Sequence, residues 1–111
     1  MRSDLSDDIL SEFCATLKAR LEEYSDIGVT YQKDYAIPLY RLYCRRGSST
    51  TVQLLITERG EVRIYVHGNH GIHLTDNINI IDYSLDSLIE LILSRLTYGE
   101  YYNKSMSYYN S

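Results

Sequence analysis

A single α+β domain is the fold class this sequence predicts: an N-terminal helix, an antiparallel meander of four strands, or of five if residues 27–33 add an edge strand, and a C-terminal helix, both helices lying on one face of the sheet. Three observations lead there. Apolar residues recur at spacings of three and four near both ends of the chain, and between those stretches the period changes to two. With 111 residues, 44% hydrophobic content, one proline and six glycines, there is room for one core and no second. A chain of this size buries enough surface to fold without disulfides or metal, so no cofactor is expected.

The first helix is written by Leu5, Ile9, Phe13, Leu17, Leu21 and Tyr24, with Leu10 and Cys14 widening the stripe. Ser3 or Ser6 can cap it, and Asp7 and Asp8 then fall in the first turn, where unpaired N–H groups favour negative charge. In the second helix, Leu85, Leu88, Ile89, Ile92 and Leu96 form the stripe, Asp82 or Ser84 caps it, and Gly99 is the expected stop. Leu91 falls off that stripe and is a candidate contact for another chain.

Strand register follows from parity. Paired residues of an antiparallel sheet must point to the same face, so joining two apolar alternations requires a loop of odd length. Glu58-Arg59-Gly60 pairs Ile56 with Val62, Leu54 with Ile64 and Val52 with Val66. Gly47-Ser48-Ser49 pairs Tyr40 with Ile56, Leu42 with Leu54 and Cys44 with Val52. The same rule across Gly68-Asn69-His70 pairs Val66 with Ile72 and Ile64 with Leu74. Cys14 and Cys44 then point into the core as reduced, inert thiols.

With both helices on one side, the other side of the sheet presents three rows: Arg41, Leu55, Arg63, Thr75; Tyr43, Gln53, Tyr65, His73; and Arg45, Thr51, His67, Gly71. Arg41, Tyr43, Arg45, Gln53, Arg63 and Tyr65 are the candidate binding residues. Arginine offers a planar fork for carboxylate or phosphate, and tyrosine a rigid surface for stacking. The same residue types also stabilise a solvated strand face without binding anything.

Net charge is −4, distributed as −4 over residues 1–26, +3 over 27–67 and −3 over 68–111. This overall charge disfavours nucleic acid as a partner, because affinity for phosphate backbones comes from neutralising them. Acidic helical surfaces are better suited to a protein partner, including one whose nucleic-acid channel they would occupy by mimicking phosphates. No aliphatic run exceeds three residues and the N-terminus opens on acids, so neither a membrane span nor a secretory leader is expected, and the compartment expected is the cytoplasm.

His67, His70 and His73 cluster around one turn and are weak candidates for a metal site, since no cysteine or carboxylate is placed to complete a tetrahedral set. No nucleophile elbow or phosphate-cradling glycine loop occurs, so no enzyme is expected and no residue is assigned a catalytic role. The helix–meander–helix order resembles that of the double-stranded-RNA-binding domain, whose second helix begins with lysines. The corresponding stretch here, Ser84-Leu85-Asp86-Ser87, holds no base, so that activity is not carried over.

Residues 1–98 are thus expected to form the domain and 99–111 a tail rich in tyrosine, serine and asparagine. Tyr101, Tyr102, Tyr108 and Tyr109 are candidate partner contacts there, because tyrosine gives large contact area at low entropic cost. The expected function is that of a small protein-interaction module, an inhibitor or adaptor of the immunity or phage anti-defence kind that blocks a protein partner. The alternative is a nucleic-acid-binding domain using the Arg/Tyr face. A second copy of the chain is a further candidate partner.

Overall fold

Period-two alternation becomes five antiparallel strands: β1 (Ile27–Asp34), β2 (Leu39–Arg46), β3 (Thr50–Thr57), β4 (Glu61–Gly68) and β5 (Gly71–Asn79), in the spatial order of the chain. Helices α1 (Asp7–Leu21) and α2 (Leu85–Tyr109) precede and follow them. The computed structural model describes residues 5–34, 39–47, 50–68 and 71–109, with side chains through residue 102.

Ser6 caps α1, its Oγ accepting the Ile9 N–H at 3.2 Å, while Ser84 Oγ accepts the Ser87 N–H at 3.1 Å ahead of α2. In α1 the buried line is Leu10, Cys14, Leu17 and Leu21; Phe13 is only partly covered, and Ile9 is exposed. The packed stripe is therefore centred on Leu10 and Cys14 rather than on Ile9. In α2, Leu88, Ile89, Ile92 and Leu96 are buried as expected.

Both helices lie on one face of the sheet, α1 over β1 and β2, α2 over β3 and β4. They meet the buried row Tyr40, Leu42, Cys44, Val52, Leu54, Ile56, Val62, Ile64 and Val66. The pairings expected for β2–β3 and β3–β4 are all present. Burial pushes the thiols of Cys14 and Cys44, both free, up to about 12, which keeps them protonated and unreactive. Among the described residues no helix is long and apolar enough to cross a membrane.

Polar ties hold the layers together. Tyr40, whose ring is stacked on that of Tyr31, donates its hydroxyl proton to the Asp7 carboxylate, which also accepts Lys33 Nζ at 2.6 Å. Asp7 thus joins α1 to two strands in addition to serving its own first turn. Tyr40→Phe should lower stability by about 1 kcal/mol, the usual net value of a hydrogen bond to a charged acceptor that stays partly solvated. Urea unfolding checks this, and an unchanged midpoint would count against the tie.

Two expectations are corrected. First, β5 is shifted by one residue: Gly68 pairs with Gly71, His67 with Ile72, Val66 with His73 and Tyr65 with Leu74. The connection has two residues rather than three, and Gly71 takes a φ of 127°, where a side chain is strained. A bulge opposite Ile64 and Tyr65 inserts one extra residue and restores the expected facing further along, so that Ile64 meets Asp76 and Val62 meets Ile78. Second, α2 does not stop at Gly99 but continues to Tyr109. Gly99 is instead a point of close approach. A Cβ there would lie 2.7 Å from Thr50 Cγ2 and 2.9 Å from Val66 Cγ1.

Candidate binding face

On each strand, the residues between those packed under the helices form the opposite face, and they are half-buried or exposed. Strand pairing places them in three five-membered rows: Gln32, Arg41, Leu55, Arg63, Asn77; Thr30, Tyr43, Gln53, Tyr65, Leu74; and Gly28, Arg45, Thr51, His67, Ile72. Arg41, Tyr43, Arg45, Gln53, Arg63 and Tyr65 are therefore brought onto one face, as the sequence predicts. At about 4.8 Å between strands the rows span roughly 19 Å, wide enough to support an extended contact.

The centre of the face is organised by His67. Its Nε2–H donates to Gln53 Oε1 at 2.6 Å, and its ring meets that of Tyr43 edge-on, with centroids 6.4 Å apart and planes at 77°. Partial burial holds this imidazole below the usual histidine range, so it is neutral near pH 7. Arg41 is half-buried, and its Nε, itself buried, has no hydrogen-bond partner among the described residues.

Two carboxylates stand at one end of the face. Asp34 and Glu61 follow Gln32 and precede Arg63 on their own strands, and Arg63 Nε donates to Glu61 Oε1 at 2.9 Å. The hydrogen bond from Arg63 holds the Glu61 carboxyl below the usual carboxylate range, with Asn77 adding to the effect. That end opens into a depression of about 840 Å³ lined by Arg59, Glu61, Asn77, Ile78, Asn79, Asp82 and Tyr83.

The β5 register changes what the face contains. Thr75, His73 and Gly71, expected in its rows, are replaced by Asn77, Leu74 and Ile72. Ile72 and Leu74 are 60% and 55% exposed beside His67 and Tyr65. Their signal in the sequence is the pair of glycines at 68 and 71, which marks a two-residue turn and competes with the apolar alternation. His73 faces the helix side, where its ring meets that of Tyr102 at 5.5 Å, so His67 and His73 lie on opposite faces and are not neighbours. His70 lies outside the described residues, among which no group of three or more histidines, cysteines or carboxylates could hold a metal.

Leu91 is half-buried and packs against the core instead of facing outward. Tyr101 is exposed and Tyr102 half-buried, both on the continuation of α2; the side chains of Tyr108 and Tyr109 lie outside the described residues. Because Gly99 packs on Thr50 and Val66, and Tyr102 on His73, residues 99–102 run along the helix side and leave the Arg/Tyr face uncovered. No family model, no curated protein and no solved structure matches this chain.

Proposed function

We propose that the protein is a small non-catalytic binding module, an inhibitor or adaptor of the immunity or phage anti-defence kind, that blocks a protein partner by covering it with the open sheet face. One observation carries this reading. The three rows of that face bring Arg41, Arg45 and Arg63 together with Tyr43, Tyr65 and the exposed Ile72 and Leu74, without a carboxylate among them, on a chain of net charge −4. Apolar and aromatic anchors ringed by arginine are the composition of protein interfaces, whose energy concentrates in such residues. The matching partner surface is acidic around an apolar contact.

Nucleic acid fits less well. Ile72 and Leu74, both exposed on this face, offer nothing to a phosphate backbone, whose affinity comes from neutralised charge and not from apolar contact. Affinity capture with the purified protein, followed by mass spectrometry, tests the choice when run in parallel with Arg45→Glu/Tyr65→Ala and with a helix-surface control, Glu12→Lys. The expected result is a protein recovered by the wild type and by the control and reduced at least about tenfold with the face variant, since central anchors are worth 2 kcal/mol or more. Recovery that ignores the face variant, or salt-sensitive binding of single-stranded nucleic acid lost in Arg41→Ala/Arg45→Ala, would overturn the reading.

A further inference from the structure

The sheet has two edges, and they are treated differently. Along β1, Glu22 Oε2 accepts the outward N–H of Val29 at 3.4 Å, and Lys33 and Asp34 end the strand in charge. Blocked or charged edges of this kind discourage pairing with another chain.

Among the described residues, the β5 edge has none of those devices over its first half. Gly68 pairs with Gly71 across two residues, and in such a hairpin the flanking pair exchanges hydrogen bonds. By alternation Val66 and His73 do the same, whereas Ile72 and Leu74 turn their N–H and C=O away from β4 toward the open edge. Thr75 Oγ1 donating to the Ile64 carbonyl at 3.2 Å agrees, since that parity aims the Ile64 carbonyl at β5. The segment Gly71-Ile72-His73-Leu74-Thr75 contains no Asp, Glu, Lys or Arg.

Large apolar surface gathers on both sides of this edge. Ile72 and Leu74 stand on the open face. On the helix side Tyr98 stacks on Tyr102 with centroids 6.1 Å apart, Tyr102 meets His73, and Tyr98 shares a small cavity with Thr75 and Arg95. Tyr98 and Tyr101 are 45% and 72% exposed. Together with the edge backbone these four side chains offer on the order of 500 Å² per chain, which doubled reaches the roughly 1,000 Å² a specific interface requires.

We propose that β5 is the seam of a two-fold symmetric homodimer, in which residues 71–75 pair antiparallel with the same segment of a second copy about His73. This register sets Ile72 opposite Leu74 of the second copy and the reverse, so both outward-facing residues of each chain exchange backbone hydrogen bonds and four aliphatic side chains cluster on the open face. A second copy is the occupant because the strand is complementary to itself: it supplies the apolar alternation its twin needs, with no like charge at the seam of an otherwise acidic chain. The bulge after Leu74 twists the edge away and ends the pairing there. The ten-stranded sheet that results joins two Arg/Tyr faces into one. The inference goes beyond the protein-partner reading and does not depend on it.

Sedimentation equilibrium of the purified chain, up to about 100 µM, a concentration well above the micromolar limit of weak specific interfaces, tests the proposal. The wild type and the exposed-residue control Ile9→Lys should sediment at twice the chain's 12.9 kDa. Leu74→Lys, with circular dichroism showing an unchanged fold, should sediment as a monomer. In Ile72→Cys/Leu74→Cys, oxidation should link two chains. A wild type that stays monomeric over the whole range, or a dimer that persists in Leu74→Lys, overturns the proposal. Because mass is read on the chain alone, its outcome is separate from that of the capture experiment.

Discussion

Gly99→Val should lower the stability of the protein by about 3 kcal/mol, the upper part of the range for overpacking a filled core. A Cβ at this position would come 2.7 Å from Thr50 Cγ2 and 2.9 Å from Val66 Cγ1, distances at which something must move. Neither neighbour can retreat easily. Both are β-branched residues buried on interior strands, and their χ1 choices are few. Replacing a helical glycine ordinarily gains up to about 1 kcal/mol in propensity, but valine recovers little of that and adds two methyl groups to the clash. Gly28→Thr is the contrasting case: nothing lies within 4 Å of its Cβ direction, so a residue suited to strands should leave stability unchanged or raise it by up to about 1 kcal/mol. Urea midpoints of the two variants against wild type decide the matter. Equal behaviour at the two positions would show that α2 does not press on the sheet as described.

Asp76→Ala should cost about 2 kcal/mol. The Asp76 carboxylate accepts Arg95 Nε at 2.6 Å and Arg95 Nη2 at 3.0 Å in a two-pronged pair, and Thr75 Oγ1 at 2.7 Å. Their side chains are 17% and 29% exposed, so removing one leaves the other poorly solvated, although water still reaches part of the pair and moderates the loss. The hydrogen bond from Arg95 holds the Asp76 carboxyl below the usual carboxylate range, with Thr75 reinforcing it against the opposing effect of burial. The direction of linkage follows. A depressed folded-state pKa contributes stability that is present above the unfolded value of about 3.9 and is lost as pH falls through the folded value. Wild type should therefore exceed Asp76→Asn at neutral pH, with the gap narrowing as the medium is acidified below about pH 4. A gap independent of pH would mean the pair contributes nothing through its charge.

Both sites show where reading a chain residue by residue reaches its end. Helix caps, the alternation of the strands and the pairing across β2, β3 and β4 are local or nearly local properties. A loop of odd length must bring like faces together, so Leu54 could only meet Leu42 and Ile64. The six residues assigned to the binding face follow from that parity alone. The fourth pairing does not, because two local rules conflict there. Apolar alternation favours Val66 opposite Ile72, while the glycines at 68 and 71 favour a two-residue turn that turns Ile72 and Leu74 outward. The outcome goes with a contact 19 residues away, since the bulge that follows turns Asp76 toward the helix side and into the fork of Arg95. Gly99 is the same lesson in one residue. Glycine ends helices often enough to be read as a stop, yet here it is required because Thr50 and Val66 stand too close for any side chain, and that distance exists only once α2 lies on the sheet. By itself the sequence determined the elements, their caps, the register of the inner strands and the residues of the Arg/Tyr face, since each depends on neighbours in the chain or across one short turn. Tertiary structure alone decided the β5 register, the length of α2 and the exposed apolar edge, because each depends on two surfaces that meet only after folding.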